Sequence, residues 1–187
     1  HPVVDVRCVV DGRKREGQSV PMLLNVQHGL FDKLVFSKLR AAMGDWFGRL
    51  PKSDCDVEAT TSGAIAYYFA PPKDGSRGGV FFMNVSDPEG WGRYEIESTS
   101  YHEGIPGHHL QLAIAAELED VPEYRKRAFV TAYAEGWGLY TERLADEMGL
   151  YSTPLDRMGM LAADSMRACR LVVDTGMHAL GWSRQRA

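Results

Sequence analysis

The spacing of apolar residues changes character several times along the chain. Val4, Val6 and Cys8 alternate with other residues ahead of a Gly-rich polar turn, which predicts one short strand. From Met22 the pattern becomes helical. Leu23, Val26, Leu30, Leu34, Leu39, Met43, Trp46 and Leu50 recur at threes, fours and one five, which puts them on one helix face. Gly29 and Gly44 weaken this helix and Pro51 ends it. His28 lies beside the stripe and reads as a surface or half-buried histidine.

Residues 56–70 read as extended. Ile65, Tyr67 and Phe69 alternate with Ala64, Ala66 and Tyr68, an apolar pattern that suits a buried strand. Pro71 to Gly79 has the composition of a loop, and Val80 to Val85 forms a second strand. The two are expected to pair antiparallel across that loop. Ser86 to Arg93 is a second turn-rich segment that carries Trp91. A helix then runs from Tyr94 to about Glu119, broken near Pro106. The next spans roughly Glu123 to Met148, with Pro122 well placed at its start and Gly149 as its stop. Thr153 caps a last helix, whose apolar positions are Leu161, Met166, Cys169, Val172, Val173 and Leu180. The expected fold is α+β: mainly helical, with a small antiparallel sheet ahead of the broken helix. One domain spans 1–187, made of an N-terminal strand and helix (1–50), the sheet (56–93) and a helical part (94–187).

Composition narrows the functions available. Hydrophobic residues at 44% and charged residues at 25% are ordinary for a globular protein of 187 residues. A net charge of -4 argues against nucleic acid as a partner, which wants a basic face. The run Arg13-Lys14-Arg15 is short, flanked by Asp11 and Glu16, and reads as a solvated turn. No apolar stretch is long enough to span a bilayer. Cys8, Cys55 and Cys169 are an odd number at wide spacings, so free thiols are expected. That favours the cytoplasm, although an export signal preceding His1 is compatible with the same residues. Cys169, within an apolar helical pattern, is expected in the core.

The chemistry concentrates in Tyr101-His102-Glu103-Gly104-Ile105-Pro106-Gly107-His108-His109-Leu110-Gln111. Three of the six histidines fall in this stretch, beside an acid. In H-E-x-x-H on a helix, two histidines one turn apart hold zinc and the Glu between them is a general base. Here Pro106 stands four residues after His102. On a regular helix a spacing of six turns the side chain away by roughly 120°, and a spacing of seven carries it roughly 10 Å along the axis. Neither lets two imidazoles share one ion. Gly104, Pro106 and Gly107 predict a bulged or broken turn, which can bring His108 to the place of the second ligand. His109 is the alternative.

The stretch resembles the H-E-x-x-P-G-H-H-x-Q signature of the DUF885 family. Further similarity lies at Ala66-Tyr67-Tyr68, Asp74 to Arg77, Phe81 to Asn84, Ala134 to Glu142 and Arg167 to His178, covering most of the chain from about Leu50. The resemblance implies a zinc metallopeptidase of gluzincin-like character. Family members are much longer chains, so it also implies a catalytic core that is part of a larger architecture.

A catalytic zinc site takes three protein ligands and keeps one position open. His102 and His108 supply two. Glu135, between helical positions with Gly136 and Gly138 beside it, is the third candidate, and the resemblance strengthens it. Glu103 is the expected general base. Glu142 lies two turns beyond Glu135 on the same face and is a candidate partner for a ligand histidine; the other reading pairs it with Arg143 or Lys126 at the surface. Arg167, Arg170, Asp174 and His178 thread the last helix. His178 is a candidate oxyanion donor, Arg167 or Arg170 a clamp for a substrate carboxylate, and Asp174 a neighbour of His178; the alternative is a polar network holding helices in register. Tyr133 and Tyr140 are weaker oxyanion candidates. The Val80–Val85 strand is a possible edge for an extended peptide, with Asn84 at its end and Arg77 and Asp74 in the preceding loop as substrate contacts. The expected function is zinc-dependent hydrolysis of a peptide or related amide. The alternatives are a degenerate metal-binding module without turnover and a helical interaction domain.

Overall fold

A strand that is apolar on both faces has to sit between two others, and Gly79–Asn84 does so. In the computed structural model, which describes residues 50–187 apart from 88 and 89, this strand (β3) lies at the centre of a three-stranded sheet. Cys55–Thr60 (β1) pairs with it in parallel and Ala66–Phe69 (β2) antiparallel. The expected extended segment 56–70 is therefore two strands. Gly63, at φ 90°, makes the turn between them, a backbone conformation that residues with a Cβ resist. The antiparallel pairing across the 71–78 loop is found; the parallel partner β1 is additional. The strand near Val4–Cys8, the helix from Met22, His28 and the basic run at 13–15 lie outside the described residues.

Strand alternation sorts the sheet into two faces. Val57, Ala66 and Phe81 are buried on one, with Cys55, Ala59 and Met83 packed beside them. Tyr68 stands on this face too, opposite Phe81. On the other, Phe82 stacks on Tyr67 at 4.9 Å and meets Phe69 edge-on at 5.5 Å.

A single 3-10 turn, Arg93–Glu95, leads into the helices. They are α1 (Ile96–Glu103), α2 (His108–Glu117), α3 (Glu123–Arg127), α4 (Thr131–Glu147) and α5 (Pro154–His178). The break in the first long helix falls where glycine and proline placed it. The expected helix 123–148 is instead α3 plus α4, separated at Ala128–Val130, where no glycine or proline marks a boundary. Gly149, at φ 68°, follows the end of α4. Thr153 caps α5, its Oγ1 accepting from the Asp156 N–H at 3.3 Å.

Helix α1 packs against both α4 and α5. Tyr101, Leu144, Ala145 and Met160 are buried in the helical core, and a side chain the size of Leu144 or Met160 contributes about 1.5–3 kcal/mol by leaving water. Tyr101 also donates its hydroxyl to the Leu150 carbonyl at 2.8 Å. Gly159 allows α5 to lie against the Tyr94 carbonyl, where a Cβ would collide. The pairs Arg143–Asp164 and Arg157–Asp146 also join α4 to α5, but their arginines are exposed and water screens them. The outer side of α5 is apolar and exposed at Leu155, Met158, Leu161, Met166, Leu171 and Val172. Cys169 is exposed as well, against the expectation that it belongs to the core.

Candidate metal centre

The broken turn brings two histidines together. Gly104 leaves helical dihedrals (φ -92°, ψ -124°) while its N–H still donates to the Ser100 carbonyl at 2.9 Å. The Ile105–Pro106 peptide is cis. Gly107 lies so close to the carbonyls of Tyr101 and His102 that no Cβ fits. Helix α2 then starts at His108, with the His109 N–H donating back to the Gly104 carbonyl at 3.1 Å. The Trp137 Nε1–H donates to the Pro106 and Gly107 carbonyls at 2.9 and 3.2 Å, satisfying acceptors that the break exposes. The rings of His102 and His108 end up perpendicular, with centroids 4.8 Å apart.

Helix α4 supplies the third group. Gly138 sits against His102: a Cβ there would lie 2.6 Å from the ring's Nε2 and Cε1. That close approach puts Glu135, one turn earlier, over both imidazoles. Its carboxylate oxygens are 3.4 Å from His102 Nε2 and 3.7 Å from His108 Nε2. Ligand atoms of the three residues all lie within 4.8 Å of one another. The Glu135 side chain is 51% exposed, so the cluster opens to solvent on that side.

Behind His102 lies a buried acid. Glu142 Oε1 accepts from His102 Nδ1 at 2.7 Å, and the carboxylate is 1% exposed. The Arg167 guanidinium grips its two oxygens in a fork, each at 2.9 Å. The Tyr151 hydroxyl donates to the Glu142 carbonyl at 3.1 Å.

This setting shifts the titrating groups. Burial pulls the His102 pKa down, but the Glu142 hydrogen bond and the charges of Glu103 and Glu142 outweigh it and raise the pKa above its ordinary value. His108 moves the other way: burial and the neighbouring His102 lower its pKa, against the pull of Glu135 and the Gln111 side chain. Burial pushes the Glu103 carboxyl up to about 7; Glu135 and Glu142 add to the rise and His102 opposes it.

The donor set suits a zinc ion. Two ligands at 2.0–2.2 Å from one tetrahedral ion lie about 3.3–3.6 Å apart, close to the two Glu135 distances and longer than good hydrogen bonds. Imidazole with carboxylate is also the chemistry zinc favours.

Residues 33–187 match the family described as "Bacterial protein of unknown function (DUF885)". The chain belongs to the DUF885 family. The match starts at residue 33, earlier than the resemblance read from about Leu50. A solved structure described as "the putative lipoprotein from Colwellia psychrerythraea" is 31% identical, with a TM-score of 0.78 over 88% of this chain. The chain spans 29% of that protein's length. No curated protein matches it.

Other expected site residues of this DUF885 chain lie apart from the cluster. His109 is buried at 1% exposure, with Nδ1 2.8 Å from the Tyr68 hydroxyl and Nε2 3.1 Å from the Ser53 carbonyl. Burial raises the Tyr68 pKa far above its ordinary value, so the phenol keeps its proton and donates it to Nδ1. With both ring nitrogens engaged, His109 ties α2 to the sheet, and it is His108 that turns its Nε2 toward Glu135. Glu142 is buried and bonded to His102 and Arg167, not paired with Arg143 or Lys126 at the surface. Arg167 holds Glu142, which corrects its reading as a clamp for a substrate carboxylate.

The rest of the α5 thread is exposed. Asp174 pairs with Arg170 at 3.0 Å and with His178 at 3.4 Å, and the His178 side chain is 77% exposed. These pairs run along one helix, so neither the oxyanion role of His178 nor the clamp role of Arg170 gains support from geometry. Tyr133 and Tyr140 are also exposed, Tyr140 leaning on Trp137 with ring centroids 5.8 Å apart. Asn84 is buried, donating to the Gly63 carbonyl at 3.1 Å and accepting from the Ser86 N–H at 2.9 Å. It braces turns and is not placed to hold substrate. Arg77 donates to its neighbour's carbonyl, at Gly78, and Asp74 Oδ1 accepts from the Ser76 N–H. Because β3 is paired on both sides, it offers no edge to a peptide, contrary to the expected strand addition. Of the two glycines flanking the Glu135 turn, only Gly138 is needed for close approach; a Cβ at Gly136 meets nothing within 4 Å.

Sequence reasoning missed Trp137 and Tyr68 as supports, and the bond from Gln111 Nε2 to the Tyr133 carbonyl. Gln111 stood in the motif itself, three residues after His108, and that spacing was the available signal.

Proposed function

We propose that this DUF885 chain is the core of a gluzincin-like, zinc-dependent hydrolase that cleaves peptide or related amide bonds. The observation that supports it is that ligand atoms of His102, His108 and Glu135 all lie within 4.8 Å of one another, with Glu103 the next residue after His102 at the end of α1. His102 and His108 would hold the ion from α1 and α2 through Nε2, and Glu135 from α4. Bound there, zinc supplies Lewis acidity, lowering the pKa of water to about 7 and polarising a carbonyl.

Glu103 performs the proton transfers. It would accept a proton from water and then donate it to the leaving nitrogen. Gly138 keeps the His102 ring close under Glu135, and the open side at Glu135 admits water and substrate. Glu142 and Arg167 keep the His102 ring oriented.

The test is metal analysis of the purified chain together with turnover of a broad peptide library. The expected result is one zinc per chain, retained in Glu103→Gln, with turnover in that variant lower by about 10²–10⁴-fold. Undiminished turnover in Glu103→Gln removes the general base. Zinc binding without turnover in the wild type leaves a metal-binding module. No bound zinc, and no rise in melting temperature when zinc is added, leaves a helical interaction domain, since a ligand of the folded state must stabilise it.

A further inference from the structure

We propose that Gln111 is the positioning residue for His108, fixing both its tautomer and its register against the helix that carries Glu135. This rests on the metal-centre reading above and adds to it a residue with no role there. Gln111 is buried on α2, one turn beyond His108. Residues three apart on a helix share a face. The Gln111 Nε2 donates to the Tyr133 carbonyl at 3.0 Å. That bond settles which end of the amide is which: reversed, two oxygens would face each other. The Oε1 end is then left inside the protein. Gln111 Oε1 and His108 Nδ1 are both buried without a hydrogen-bond partner, and they are the two such side-chain atoms among the described residues.

The chemistry of the ring makes these two atoms a pair. A neutral imidazole carries its hydrogen on one nitrogen and a lone pair on the other. His108 turns Nε2 toward Glu135. For Nε2 to offer its lone pair to a cation, the hydrogen has to sit on Nδ1 and needs a buried acceptor. Gln111 Oε1, one turn on along the same helix and itself without a partner, is the acceptor we assign to it. The other end of the amide holds the Tyr133 carbonyl, two residues before Glu135. One side chain thus sets the ring of the second ligand and ties it to the helical turn bearing the third. A partner of this kind typically changes metal affinity by about 10–100-fold when removed.

A purely structural tie between α2 and α4 would need only the bond to Tyr133, so two variants of the full chain separate the cases. Gln111→Met keeps the volume and loses both polar ends. Gln111→Glu keeps an acceptor for His108 and loses the donor to Tyr133. Zinc affinity is measured by competition with a chromophoric chelator, the visible absorption of the cobalt(II)-loaded chain reports ligand geometry, and the metal-free melting temperature reports the fold. We expect Gln111→Met to bind zinc about 10–100-fold more weakly with altered cobalt bands, and Gln111→Glu to stay within about threefold of wild type. Wild-type affinity and spectrum in Gln111→Met, with only the melting temperature lowered, overturns the proposal. So does an equal loss in Gln111→Glu, which would assign the effect to the Tyr133 bond. If the wild-type chain binds neither zinc nor cobalt, the metal centre itself is wrong, an outcome distinct from both.

Discussion

His102 and His108 present the same ring nitrogen to Glu135 from unlike surroundings. Behind His102 stands a buried carboxylate at hydrogen-bond distance, itself forked by an arginine. For His108 the partner we assign is the neutral amide oxygen of Gln111, which like His108 Nδ1 is buried without a hydrogen-bond partner. The anionic partner makes one ring more basic, while burial and the first ring make the other less so. The two supports also cost differently. A buried carboxylate needs a cation to compensate it, and Arg167 is recruited from α5, so the orientation of His102 depends on packing across three helices. The amide needs no counter-charge and works within α2 and the start of α4. A candidate site can therefore hold two chemically identical ligands with unequal sensitivity to substitution.

The largest effect should come from the charged side. Glu142→Ala leaves Arg167 facing a vacated buried site and should destabilise the chain by about 3–5 kcal/mol in denaturant unfolding. A loss near zero would mean that the Glu142–Arg167 pair does not hold His102.

Next comes pH, read on metal-free protein. With its carboxyl at about 7 instead of the ordinary 4.5, folded Glu103 holds a proton between those values that the unfolded chain has released. Stability therefore falls as pH rises through 7, by up to about 3 kcal/mol, and Glu103→Gln should flatten that slope. His102, raised, leans the same way: its contribution is complete below its unfolded pKa and is lost as pH climbs through the folded one. His108, lowered, leans oppositely and gains stability as pH rises toward its unfolded pKa. NMR titration should place the two rings on either side of 6.5, and Glu142→Gln should move His102 downward more than His108. Coincident titration of both rings in the wild type would abolish the contrast.

The smallest effects concern the glycines of α4. Gly138→Ala forces a methyl group toward the His102 ring and should cost about 1–3 kcal/mol while weakening zinc binding. Gly136→Ala meets open space and should stabilise by about 0.5–1 kcal/mol through better helix propensity, with zinc binding unchanged. Thermal melts with and without zinc check both.

What could be read from the residues alone was local. Gly104, Pro106 and Gly107 announced the broken turn, Thr153 the cap of α5, and the spacing of Glu135 and Glu142 their shared face. Features that depend on distant partners were hidden. Nothing near β1 says that it lies parallel to β3. Asn84 looked available for substrate because the turn residues that occupy it, Gly63 and Ser86, are fixed only once the sheet forms. Arg167 sits among other polar residues of α5, and its choice of Glu142 over a ligand follows from how α4 and α5 cross. Cys169 was expected in the core and is exposed, as are Leu161, Met166 and Val172 beside it, because amphipathic spacing says that a stripe exists and not what covers it. Gln111 was legible in part: its place in the motif was visible, but its two-ended role needed the position of Tyr133.

The most direct test is an anomalous-scattering map from crystals of the zinc-loaded chain. The account predicts one strong peak bound by Nε2 of His102, Nε2 of His108 and the carboxylate of Glu135, with Nδ1 of each ring held by Glu142 and Gln111. A zinc-saturated crystal whose peak lies elsewhere, or which shows those three side chains free of metal, would contradict it.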